Sequence, residues 1–88
     1  MAKIEVKSAY WDKEYIIKEV QAGENRIRFS LCDKRGRTWL SIREWYQTPS
    51  KEYAPGKHGM AVPLDDPGIL TDMMAALEDT WAEMKEEA

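Results

Sequence analysis

The chain has 88 residues, with 13 Lys and Arg against 16 Asp and Glu and a net charge of -3. A single domain over 1–88 of this length hides only about 60–65% of its extended surface on folding, a shortage of core that a homodimer would relieve. One cysteine, Cys32, excludes an internal disulfide scaffold, and no apolar run is long enough for a secretory signal or a membrane span, so the expectation is an intracellular protein of cytoplasm or nucleoid, or of the nucleus in a eukaryotic host, without a membrane partner.

Residues 3–7 alternate apolar and charged, as does part of 15–20, and both suit strands within an N-terminal extension over 1–22. Ile27, Phe29 and Leu31 then fall on one face of a strand, with Arg26, Arg28 and Ser30 on the other. Asp33-Lys34-Arg35-Gly36 reads as a hairpin connection in which Gly36 is free to take a positive φ. In the next strand, about 37–46, Leu40 and Ile42 take one side while Trp39, Ser41, Arg43 and Trp45 take the other. By simple alternation Tyr46 belongs with Leu40, and a bulge near Glu44 is the alternative that would bring it round toward Arg43.

The stretch 47–52, with Pro49, reads as a loop; Tyr53 begins a short return strand bent at Pro55-Gly56, and 59–64 forms the last strand, with Pro63 at an edge or an exit from the sheet. Asp65 or Asp66 caps a helix over 66–87, Pro67 fits its first turn, and Ile69, Leu70, Met73, Met74, Leu77, Trp81 and Met84 recur at helical spacing on one side. The expected fold class is therefore α+β: a meander of antiparallel strands with one C-terminal helix, the helix covering one face and leaving the other open.

Charge is segregated along this plan. Residues 26–59 carry eight Lys and Arg against three acids, whereas 60–88 hold one Lys against eight acids. A basic centre interleaved with Trp and Tyr suits a single nucleic-acid strand, cations meeting phosphates and rings stacking on bases.

The run Ser30-Leu-Cys-Asp-Lys-Arg-Gly-Arg-Thr-Trp-Leu-Ser-Ile-Arg-Glu-Trp-Tyr46, followed by Pro55-Gly-Lys-His-Gly-Met60 and an acidic helix, resembles the transcriptional coactivator family called positive cofactor four. The resemblance spans 26–84. It implies a curved four-stranded antiparallel sheet over 26–64, with an extra N-terminal strand as an open alternative, and a homodimer formed largely through the helix at Met73, Met74, Leu77, Trp81 and Met84. It also implies binding of melted or single-stranded DNA with little sequence preference. Carried over by position, Arg35, Arg37 and Arg43 would hold phosphates, Tyr46 stands where the family often has a stacking tryptophan, and Lys57 and His58 occupy two basic positions. The chain departs from the pattern at Lys34, where the best-known members have an aromatic, and at Ala54, where they have a lysine. Without the long Ser- and Lys-rich arm of the eukaryotic members, the chain looks like a compact prokaryotic or viral relative.

The expected nucleic-acid residues are thus Arg28, Lys34, Arg35, Arg37, Arg43, Tyr46, Lys57 and His58. Trp39 and Trp45 serve either stacking or an interface, because an exposed tryptophan pair is costly without a ligand. No catalytic set emerges: His58 lacks the companions a zinc site requires, Cys32 has no partner histidine, Asp65-Asp66 is explained by capping, and Pro55–Gly59 lacks P-loop spacing. Neither enzyme activity, cofactor nor metal is expected. The leading reading is a single-stranded-DNA-binding protein of coactivator type, acting in transcription, replication or repair, with RNA as an alternative strand and transcription or replication proteins as partners. The competing one is a protein–protein adaptor of the same fold that docks a polymerase subunit or an acidic partner.

Overall fold

A computed structural model describes residues 3–87. Five strands, β1 (Ile4–Val6), β2 (Lys13–Ala22), β3 (Asn25–Lys34), β4 (Arg37–Gln47) and β5 (Tyr53–Pro63), lie in chain order in one open antiparallel sheet, and α1 (Gly68–Glu87) follows. The α+β class is as expected. Both N-terminal runs are strands, so the sheet has five rather than four. The separate return strand and last strand are in fact one element, β5. Pro55 and Gly56 do not end it because β5 is an edge, where a missing N–H need break no ladder bond.

The β3–β4 hairpin turns on Arg35 and Gly36, both at positive φ (53° and 79°), the combination a two-residue turn of this hand requires. Glycine takes that conformation freely, whereas Arg35 gives up about 1–2 kcal/mol to do so. Its backbone N–H is held in return by Asp12 Oδ2 at 2.8 Å.

Residues paired across an antiparallel ladder share a face, so the register sorts every side chain. Three rungs, Tyr15–Leu31–Leu40–Val62, Lys18–Phe29–Ile42–Met60 and Val20–Ile27–Glu44, make a mostly apolar face. The opposite, charged face carries Glu14–Cys32–Trp39–Pro63, then Ile16–Ser30–Ser41–Ala61, then Glu19–Arg28–Arg43–Gly59, then Gln21–Arg26–Trp45–Pro55. Two irregularities set this pattern. In β2, Ile17 is an extra residue between Ile16 and Lys18. In β5, Gly56, Lys57 and His58 oppose the single Glu44 of β4.

The second irregularity decides which face Tyr46 takes. It falls beside Glu44 as anticipated, but its extra residues belong to β5, and β4 runs against β3 without interruption. The alternation of β4 is therefore unbroken, and Tyr46 stays on the face of Leu40 and Ile42 instead of coming round to Arg43.

The buried residues among those described are Glu14, Ser30, Cys32 and Ser41, all on the charged face. The apolar face has none. The expectation that α1 covers a face is not met either: no Cα of the helix lies within 8 Å of a strand Cα among the described residues. Asp66 caps it, Oδ1 accepting from the Gly68 N–H at 2.9 Å, while Asp65 is taken up by Arg37. Its apolar stripe stands open, Leu77 at 65% and Trp81 at 61% exposure. One isolated stripe and one apolar sheet face without a buried residue are complementary surfaces that this single chain does not bring together.

Candidate nucleic-acid interface

The charged face is built around a step in side-chain size. Ser30, Ser41 and Ala61 form a rung of small residues, with the Trp39 rung on one side and the Arg28–Arg43 rung on the other. Rungs two positions away along a strand lie about 6.8 Å apart, so small side chains between large ones leave a trough. It measures about 660 Å³ and is walled by Arg28, Arg43 and Trp45 at one end and by Tyr10, Trp11 and Glu14 at the other. That volume is within the range of about 300–1,000 Å³ occupied by small-ligand sites.

The far wall comes from residues 7–12, a strap between β1 and β2 folded over the end of the sheet. The Ser8 hydroxyl accepts from the N–H groups of Tyr10 and Trp11 at 3.1 and 2.9 Å, and the Asp12 N–H bonds to the Asp33 carbonyl at 2.9 Å. The Trp11 ring then lies 6.2 Å from that of Trp39. Beneath it a second, smaller cavity of about 250 Å³ is lined by Tyr10, Trp11, Trp39 and the cations Lys34, Arg35 and Arg37. The Trp39 indole N–H is enclosed and lacks an acceptor among the described residues, a state that buried donors seldom keep without a ligand or water.

The cations of this face and its edges differ in how far their charge is already met. Arg28 lies 3.6 Å over the Trp45 ring and donates to Glu19 at 3.0 Å. Arg26 shares Glu19 at 3.7 Å and stacks on Tyr53. Arg37 is paired with Asp65 at 2.6 Å and leans on Trp39. Lys34 donates to the Tyr10 carbonyl at 2.8 Å and sits 3.4 Å over that residue's ring. Among the described residues Arg43 donates only to a backbone carbonyl, that of Gly56 at 3.1 Å, and has no acidic partner, so the β5 bulge aims it without neutralising it. The Arg35 side chain, Lys57 and His58 have no acidic partner among the described residues. Lys57 and His58 are exposed in the bulge at the sheet edge.

Of the residues singled out from sequence, Arg28, Lys34, Arg37, Trp39, Arg43 and Trp45 share the charged face, with Arg35 at its hairpin tip. Tyr46 lies across the sheet from them, 45% exposed. Met73, Met74, Leu77, Trp81 and Met84 are set apart on α1. Arg26 joins the charged face on the side where the sequence put it, whereas sequence reasoning missed Tyr10, Trp11, Glu14 and Tyr53 as parts of this face. Beneath the trough, Cys32 is fully buried, and burial with the Glu14 and Asp33 carboxylates nearby pushes its thiol up to about 12. It is an inert filler at neutral pH.

An open antiparallel sheet with a cation-and-ring trough on one face and a detached C-terminal helix defines an α+β fold. The chain belongs to the family described as Transcriptional Coactivator p15 (PC4), whose model matches residues 22–70. The fold agrees with a solved structure from bacteriophage T5, a homologue of the eukaryotic transcription coactivator PC4 implicated in recombination-dependent DNA replication. That match has a TM-score of 0.59 and 18% identity, and covers 77% of this chain and 80% of the phage one. No curated protein matches the chain at a significant level. No helix among the described residues is long and apolar enough to cross a membrane.

Proposed function

We propose that this protein is a non-enzymatic binder of single-stranded or melted DNA, with little dependence on sequence along most of its contact, acting as a homodimer in transcription or in the replication and recombination of DNA. The observation that carries the reading is the trough itself: Arg43, without an acidic partner among the described residues, faces it together with the Trp45 and Trp11 rings. Guanidinium and indole at this spacing serve phosphate and base of one strand, whereas the bases of a duplex are stacked away from such rings. Family membership and the phage relative's link to DNA replication support the same reading. The open stripe of α1 and the uncovered apolar face support the dimer.

Titration of a labelled oligonucleotide, single-stranded against duplex, at several salt concentrations tests it. With about four to six phosphates neutralised per subunit, log K falls with log salt at a slope of roughly -3 to -4, and the duplex binds more weakly. A flat salt response removes the basis of the proposal. The adaptor reading gains from one feature, the internal pairing of Arg28 and Arg37 with Glu19 and Asp65, which lowers the charge offered to phosphates. An adaptor ignores the oligonucleotide and instead loses a protein partner when Arg43 is reversed to Glu.

A further inference from the structure

Glu14 is out of place in a binder of polyanions. It is 8% exposed, it lines the trough, and its carboxylate is met by a hydroxyl, the Ser30 O–H donating to Oε2 at 2.8 Å. Among the described residues no Lys, Arg or His pairs with it. A buried carboxylate requires donors, and one hydroxyl leaves most of its acceptor capacity unused.

Its position depends on the bulge in β2. Counting back from the Ala22–Asn25 end of the β2–β3 hairpin, an unbroken register would pair Glu14 with Asp33, on the apolar face. The extra Ile17 shifts the ladder by one, so Glu14 pairs with Cys32 and turns into the trough. Bulges often re-aim a side chain beside a site. Both Glu14 and the bulge lie outside the residues 22–70 that the family model matches, so this wall comes from the N-terminal part of the chain.

We propose that Glu14 makes the trough selective for nucleobases bearing an exocyclic amino group, accepting its N–H, and unfavourable to thymine and uracil. The inference rests on the single-strand reading above. A carboxylate is a natural acceptor for the cytosine N4 amino group, and adenine and guanine carry amino groups too. Thymine and uracil offer one ring N–H flanked by two carbonyl oxygens, which the carboxylate repels. Stacking on Trp45 or Trp11 does not distinguish bases of equal size, so the difference is Glu14's. Phosphate contacts along the rest of the strand stay indifferent to sequence.

The test compares oligo-dC with oligo-dU of equal length, which stack alike and differ at this edge, in competition for wild-type protein. We expect dC to win by at least about fivefold, the lower end of what one paired base edge contributes. Glu14→Gln should bring the ratio toward one by strengthening dU binding, and Ser30→Ala, which keeps the carboxylate, should retain the preference for dC. Equal wild-type affinity for dC and dU overturns the inference while leaving the single-strand reading intact, as does a Glu14→Gln protein with the original ratio. Failure to bind either strand overturns both. The wild-type comparison decides the matter even where a variant does not fold.

Discussion

Arg43 and Arg28 stand on one rung and face the same trough, yet their charges are not equally available. Arg28 is matched by Glu19 and stacked on Trp45, whereas Arg43 donates to the Gly56 carbonyl and has no acidic partner among the described residues. Arg43→Ala is therefore expected to weaken single-strand binding about tenfold or more, in keeping with a charge-assisted bond of roughly 1.5–3 kcal/mol, and to flatten the salt slope by about 0.7. Arg28→Ala should lose less, since Glu19 then no longer has to be displaced. Titrations at two salt concentrations check this, and equal losses would show that the internal pair does not matter. Cys32 gives a second prediction. Its folded pKa is raised to about 12 from an ordinary 9.0, so the folded state keeps a proton that the unfolded chain releases. The stability this contributes is complete below about pH 9 and is lost as pH rises toward 12. Denaturant midpoints at pH 8 and pH 10.5 should diverge for the native protein more than for Cys32→Ala, which cannot titrate; parallel shifts would count against it.

At the scale of elements, the bulged edge strand β5 governs how Arg43 is aimed. A Cβ on Gly59 would lie 2.9 Å from the Ile42 carbonyl oxygen and 3.0 Å from Arg43 Cζ, and the backbone carbonyl cannot swing aside as a side-chain tip can. Gly59→Ala is expected to push β5 from β4, costing about 1–3 kcal/mol as overpacking does, and to lower DNA affinity with it, read from thermal melts and titration of one preparation. Unchanged stability would mean that β5 yields freely there. The same contrast between local and long-range causes explains what the sequence disclosed. Alternation along β3 and β4, the Arg35-Gly36 turn and the helical spacing from Ile69 to Met84 are local, and each was legible. The continuity of β5 was not, because Pro55-Gly56 has the composition of a bend and only pairing with β4 shows that the strand resumes. Nor was Glu14 legible as a trough residue, since Ile17 carries no bulge signature and one unmarked extra residue reverses the facing of everything before it. Tyr10 and Trp11 were hidden for a related reason: a strap's resting place depends on the tip it meets, here Asp12 on Arg35 and Lys34 on Tyr10.

For the whole molecule, the distribution of burial bears on how many copies make a stable fold. Three of the four buried residues, Glu14, Ser30 and Ser41, are polar or charged, while Phe29, Leu31, Leu40 and Ile42 are not fully buried and Met74, Leu77, Trp81 and Met84 stand open. Burying one such apolar side chain contributes about 1.5–3 kcal/mol, and net stability of a domain is only about 5–15 kcal/mol, so leaving these uncovered forfeits much of what a small domain has. In the proposed dimer, a second copy placing its stripe and apolar face against the first would recover it. Folding then becomes coupled to association, and the unfolding midpoint should rise with protein concentration, each tenfold increase adding about 1.4 kcal/mol per dimer. Leu77→Glu puts a charge into the middle of the stripe and should give a monomer by mass, with a lower and concentration-independent midpoint. Asp79→Asn, outside the stripe, should behave as the parent does. A parent protein whose midpoint and mass are indifferent to concentration down to high dilution, and a Leu77→Glu variant that melts where the parent does, would together mean that the apolar face and the helix find their cover within one chain.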